Sequence, residues 1–166
     1  MARDRPPYRA DHIGSLIRPA QLLRARYPTD GQNLQAEELK AIEDRQIKNV
    51  ISMQEDIGLQ SITDGEFRRE SWRLGLVSKV SGFTRTDAVG DVDYQHDSKG
   101  HRHRIGNAPI ATSKVDWSGP IVADEVKFTL SHTTATAKAT IPSPSYLHYP
   151  RGSACVDDAV YPDLAP

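Results

Sequence analysis

Two short stretches of the chain combine residue types that could do chemistry. Ser61-Ile62-Thr63-Asp64-Gly65-Glu66-Phe67-Arg68-Arg69 passes from apolar residues through a glycine into a carboxylate and two arginines, and Arg9-Ala10-Asp11-His12-Ile13-Gly14-Ser15 has the same character. Each reads as a short strand that stops at a glycine and delivers charge to one edge of the fold. An α/β enzyme keeps its polar chemistry at such strand ends, because the strand fixes the backbone while the following loop is free to carry functional groups. Asp-Gly followed by charges is also an ordinary turn signal with a surface ion pair. The recurrence of the pattern one helical hairpin apart favours a functional strand end. Gly14 lets the backbone turn tightly and approach a ligand, since it has no Cβ. Ser15 offers a hydroxyl there, or caps a helix.

Helices must position these ends. Pro19 suits the first turn of a helix through Leu22, Leu23 and Ala25, and Tyr27-Pro28-Thr29-Asp30-Gly31 ends it. From about Asn33 to Ile57 an apolar stripe of Leu39, Ile42, Val50, Ile51 and Ile57 faces away from Glu37, Glu38, Lys40, Glu43, Asp44, Arg45 and Lys48, which predicts a long amphipathic helix closed by Gly58. Leu59 to Thr63 then reads as an apolar strand, so helix, glycine, strand and charged loop make one unit of a parallel sheet. Glu70 to Val80, with Trp72, Leu74, Leu76 and Val77, predicts a further helix.

Residues 84 to 119 change character, being polar and rich in Gly and His, with β-leaning fragments at 89–94, 101–105 and 108–115. They read as a hairpin insertion. Residues 120–130 predict a short strand and a helix start. Thr133 to Ile141 predicts a strand running into Pro142-Ser143-Pro144-Ser145, a third strand end with a rigid, hydroxyl-rich loop. Residues 1–8, with Pro6-Pro7, read as a lead-in arm. The segment 148–166 has little periodicity, and Val160 to Leu164 looks like the entrance to a helix.

Composition bounds the rest. The chain has 166 residues, 21 basic against 22 acidic, and a formal net charge of -1, so no net field attracts nucleic acid or anionic membrane. No apolar run approaches the ~18 residues of a membrane span, and the first residues lack the apolar core of a signal peptide, so a cytoplasmic location is expected. The single cysteine, Cys155, excludes an internal disulfide and reads as an incidental thiol, with Arg151 as the one nearby cation. A (β/α)8 barrel needs about 250 residues, which makes the expected fold an α/β one of part-barrel size.

Set side by side, the three strand ends resemble the N-terminal part of the cobalamin-independent methionine synthase family in its short single-barrel form. The matching residues are Arg9 to Ser15 with Arg18-Pro19, Ile62 to Arg69 with Trp72, and Ala139-Thr140-Ile141-Pro142-Ser143-Pro144-Ser145. The resemblance spans most of residues 9–164, and the insertion between the second and third motifs fits it. It implies a partial TIM-type barrel with its site at the C-terminal ends of the strands. It also implies methyl transfer from 5-methyltetrahydrofolate to the thiol of homocysteine, giving methionine. By position, Ile13, Gly14 and Ser15 would hold the amino-acid end of the thiol substrate through backbone and hydroxyl groups, and Glu66 would pair with its ammonium. His12, Arg18, Asp64, Arg68 and Arg69 are their neighbours. Each charged end of a zwitterion must be matched once it leaves water.

The family activates its thiol on zinc held by His, Cys and acidic ligands of the later barrel strands, and a coordinated thiol loses its proton. No such ligand set stands in this sequence. The expectation is therefore a truncated form with the substrate cradle, little transferase activity alone, and zinc ligands outside it. Two other readings remain: a thiol alkyltransferase with another thiol or electrophile, of the coenzyme M transferase kind, and a non-catalytic half-barrel that self-associates or pairs with a complementing C-terminal half. The stretch His96 to His103 could place His101 and His103 on one strand face with His96 opposite. Lys99, Arg102 and Arg104 oppose a cation there, and an exposed hairpin face is expected instead. Trp72 and Trp117 could stack on a flat pteridine, Trp72 being the better placed, or Trp72 could pack helix on barrel.

Overall fold

A computed structural model describes residues 12–29, 31–72, 74–77, 79–85, 93–95, 102–104, 109–147 and 152–164. The arm at 1–8, His96 and His101 lie outside the described residues. The chain divides into two compact units, Met1–Trp72 with Val122–Ile141, and Arg73–Ile121 with Pro142–Pro166.

The first unit is built on two helices and one parallel strand pair. Helix α1, Ala20–Arg26, follows Pro19, whose fixed φ suits a helix entry. Helix α2, Ala36–Asp56, begins where the Glu38 carboxylate accepts a hydrogen bond from the Gln35 backbone N–H at 3.0 Å. It ends at Ile57, and Gly58 follows at φ +83°, a conformation that costs a glycine little. Leu22, Ile47, Val50, Ile51, Ile62 and Phe67 form the buried core, with Leu16, Leu39, Ile42 and Phe128 packed around it. Ile57, expected on the buried stripe, is exposed because it lies beyond the last helical turn. Glu43, expected on the solvated face, is buried because two arginines reach it.

Strand β1, Ser61–Ile62, pairs in parallel with β6, Thr136–Ala137, in the register Ser61 to Thr136 and Ile62 to Ala137. The ladder is shorter than the strands expected at 59–63 and 133–141. Backbone hydrogen bonds from Thr136 N to Gln60 O and from Lys138 N to Ile62 O bound it. Beyond Ile62 the Gln54 side chain takes the N–H and the carbonyl of Thr63, and the chain enters a turn. The strand expected at 9–13 lies outside the described residues up to Asp11, and His12 and Ile13 are in no strand. The segment after them is nonetheless tied to the β1 end, by Leu16 N to Gly65 O at 3.2 Å. Helix α4, Ala123–Leu130, follows 120–122 directly, with no strand before it. These elements make an α/β fold with small parallel and antiparallel sheets, resembling part of a barrel; among the described residues no closed barrel forms.

In the second unit the helix expected over 70–80 shrinks to α3, Leu74–Val77. The residues after it enter a ladder instead: β2, Val80–Arg85, pairs antiparallel with β5, Pro109–Trp117, with an irregularity between Ser81 and Phe83. A Cβ on Gly82 would lie 2.7 Å from the Lys114 carbonyl oxygen, so close backbone approach requires glycine there. Strands β3, Asp93–Gln95, and β4, Arg102–Arg104, form an antiparallel pair with His103 opposite Tyr94. Short 3₁₀ turns follow at Pro144–Leu147, Gly152–Cys155 and Pro162–Leu164. Cys155 is buried. No helix of the described residues is long and apolar enough to cross a membrane.

Candidate functional site

The site grows from the sequence Thr63-Asp64-Gly65-Glu66. Short polar side chains before a glycine fold back onto their own backbone. The Thr63 hydroxyl oxygen accepts from the Gly65 N–H at 3.2 Å, and Asp64 Oδ1 accepts from the Glu66 N–H at 2.8 Å. Gly65 stands at φ +70° and Glu66 at φ +58°. Left-handed backbone is ordinary for the glycine and uncommon for the glutamate. A Cβ on Gly65 would come within 2.8 Å of the Phe67 ring, so this step of the turn excludes any larger residue.

Two arginines hold the turn from outside. Arg18 Nη2 donates to the Glu66 carbonyl at 3.1 Å and the Arg69 carbonyl at 2.9 Å. Arg26 donates to the carbonyls of Phe67 and Arg69, and pairs with Glu43 at 2.7 Å. Arg68 reaches back to Glu43 and Asp44 and lies 4.7 Å over the Phe128 ring. Burial raises the Asp44 carboxyl, but its hydrogen bonds and charge contacts with Lys40 and Arg68 outweigh that and hold it below its ordinary value. Arg18 and Arg68, expected beside a substrate, thus carry the backbone and an ion network.

Three segments distant in sequence then meet at Glu66. Thr140 Oγ1 donates to Glu66 Oε1 at 2.5 Å, and Thr63 Oγ1 donates to the Gly14 carbonyl at 3.1 Å. A Cβ on Gly14 would stand 2.6 Å from Thr140 Cγ2 and 3.2 Å from Glu66 Oε1. Glycine is therefore what lets the Gly14 backbone touch both. Arg69 donates to the Thr140 carbonyl at 2.8 Å, to Glu125 at 2.7 and 3.0 Å, and lies 3.7 Å from Glu66 Oε1. Burial by itself lowers Arg69, yet the Glu125 hydrogen bond and the charges of Glu125, Glu66 and Asp64 raise it above its ordinary range. Glu66 is 4% exposed and Asp64 6%, and one oxygen of each, Glu66 Oε2 and Asp64 Oδ2, has no hydrogen-bond partner among the described residues. A buried carboxylate oxygen without a donor is costly unless a ligand supplies one.

The remaining expected residues fall as follows. His12 Nε2 contacts Gln54 Oε1 at 2.9 Å. The Gln54 amide is oriented by donating to the Val50 and Thr63 carbonyls and accepting from the Thr63 N–H, so His12 is the donor in that contact. Its Nδ1 is buried without a partner among the described residues, and its carbonyl accepts from Lys138. Ser15 and Ile13 are exposed, Ile13 at 87%. Trp72 is 52% exposed and Trp117, in the other unit, 68%. Sequence reasoning missed Gln54, Thr140, Arg26 and Glu125. Thr140 stood in a quoted motif, while Gln54 and Glu125 carried no local signal beyond position on a helix.

The described residues do not fit the zinc that the resemblance implies. Among them no group of three or more His, Cys, Asp or Glu is placed to hold a metal ion.

No protein-family model matches the chain. It is 32% identical over 158 residues to the uncharacterised protein YxjH of Bacillus subtilis, covering 95% of this chain and 40% of that protein. It is 28% identical over 141 residues to a 5-methyltetrahydropteroyltriglutamate–homocysteine methyltransferase of Thermotoga petrophila, covering 84% of this chain and 18% of the enzyme. A Listeria monocytogenes crystal structure, provisionally named a vitamin-B12 independent methionine synthase, superposes with a TM-score of 0.66 at 29% identity, over 91% of this chain and 40% of that one. The chain thus spans about two fifths of the length of the first curated relatives it matches.

Proposed function

We propose, from a partial similarity to B12-independent methionine synthases, that this chain forms the amino-acid-binding part of a methyl-transfer site. In that reading the methyl group of 5-methyltetrahydrofolate passes to the thiol of homocysteine. The single observation that carries it is the buried Glu66 carboxylate, with Oε1 bound by Thr140 and Oε2 lacking a donor. A substrate ammonium supplies such a donor and the opposite charge together, and a charge-assisted hydrogen bond is roughly twice as strong as a neutral one. Gly14 brings its backbone against the same carboxylate, and Ser15 follows it as an exposed hydroxyl for the substrate's carboxylate. The chain's own residues bind and orient the amino acid; thiol activation is not assigned to them.

The same observation weighs against a thiol such as coenzyme M. That molecule ends in a sulfonate, and a buried carboxylate with one oxygen still lacking a donor repels a second anion.

Calorimetric titration of homocysteine into the 166-residue chain and into Glu66→Gln tests the reading. Binding is expected for the parent chain and at least about tenfold weaker for Glu66→Gln, as a hydrogen bond to a charged group is worth about 1.5–3 kcal/mol. Equal affinity in both, or no binding by a folded parent chain, overturns it.

A further inference from the structure

The carboxylate of Glu66 has two oxygens in unlike surroundings, and the difference has a source 74 positions away in sequence. Arg69 Nη1 lies 3.5 Å from Thr140 Oγ1 and donates to the Thr140 carbonyl at 2.8 Å. A guanidinium can only donate, so it presents N–H groups to Thr140 and leaves the threonine hydroxyl its single proton for an acceptor. That acceptor is Glu66 Oε1, at 2.5 Å. The Thr140 methyl faces Gly14, where even one added carbon would sit 2.6 Å away. Thr140 is thus held by Arg69 through its carbonyl, by Gly14 through its methyl and by Glu66 through its hydroxyl. Glu125 anchors Arg69 in turn.

Resting on the amine-binding reading of Glu66, we propose that Thr140 is a positioning residue for the ligand's primary ammonium. By occupying Oε1 it fixes the carboxylate rotamer, so that Oε2 is the oxygen offered to the amine. Arg69 already pairs with Oε1 at 3.7 Å; without Thr140 the carboxylate turns further toward it, and the tighter ion pair competes with the ligand. Arg69 and Glu125 act through Thr140. They set which way its hydroxyl proton points, and neither is asked to touch the substrate.

The test is homocysteine titration by calorimetry into the 166-residue chain, Thr140→Val and Thr140→Ser, with folding of each checked by circular dichroism and thermal midpoint. Valine keeps the methyl against Gly14 and deletes the donor; serine keeps the donor and deletes the methyl. At least about tenfold weaker binding is expected for Thr140→Val, and binding within about threefold of the parent for Thr140→Ser. Where valine disturbs the fold, Thr140→Ala removes the hydroxyl without adding bulk and is read in the same way. Parent-like binding by Thr140→Val overturns the proposal, and so does a serine variant that loses as much as valine, since that pattern follows from packing alone. A folded parent chain that binds no homocysteine overturns the amine-binding reading itself, and this proposal with it.

Discussion

Glu66 sits where a glutamate does not belong by itself. A non-glycine residue in the left-handed region costs of the order of 1–3 kcal/mol, and such strain persists only where its surroundings over-determine it. Here the Asp64 carboxylate holds its N–H, Arg18 holds its carbonyl, and Thr140 holds its side chain. The close approach of Gly14 is part of the same arrangement. For Gly14→Ala the new Cβ meets Thr140 at 2.6 Å, so the three-way contact must spread. A loss of roughly 1–3 kcal/mol in urea unfolding is expected, in line with overpacking of a tight site. A midpoint unchanged from the parent shows that the contact is not tight.

At the scale of elements, α2 does more than bury a stripe. Its last turn carries Gln54, 1% exposed, whose amide bonds both the N–H and the carbonyl of Thr63. Gln60 and Ile62 turn their carbonyls to β6, so Thr63, one residue on, turns its backbone groups to the other side of β1, where the Gln54 amide takes both as the chain enters the 63–66 turn. Gln54→Leu keeps a similar volume and removes both bonds, leaving two buried backbone groups unsatisfied at about 1–3 kcal/mol each. A stability loss of about 2–4 kcal/mol is expected from chemical denaturation. A loss below 1 kcal/mol means that other groups or water satisfy Thr63. The ion network of Arg26, Arg68, Glu43 and Asp44 joins α1, α2 and the same turn, so three elements are fixed relative to Glu66 by polar contacts as well as by the core.

At the scale of the molecule, the parallel pair β1–β6 is the feature with the widest consequence. All-parallel sheets occur almost only where both faces are covered. Among the described residues β6 pairs with β1 alone, and no described strand lies along its other edge. An open edge is a template for pairing with another chain. Sedimentation equilibrium of the purified chain is expected to show concentration-dependent self-association, and its reversal on adding a complementing C-terminal half-barrel would identify the partner edge. A clean monomer at all concentrations removes this expectation.

The sequence by itself determined the local elements whose cause is local. The α2 helix is legible because its apolar period lies within it, and the Gln35–Glu38 contact and Gly58 lie at its two ends. The Asp64-Gly65 turn is legible because short polar side chains and a glycine specify it without distant help. The β-leaning fragments of the insertion declared themselves by residue type, and β3, β4 and β5 lie on them. What only tertiary structure decided is where long-range partners intervene. The helix expected over 70–80 survives as α3, and its last expected residue, Val80, opens β2 instead, where pairing with β5, some thirty residues on, outweighed local propensity. Glu43 reads as a solvated charge until Arg26 and Arg68 fold over it. The two oxygens of Glu66 are alike in any sequence, and they become different only when Thr140 reaches one of them from 74 residues away.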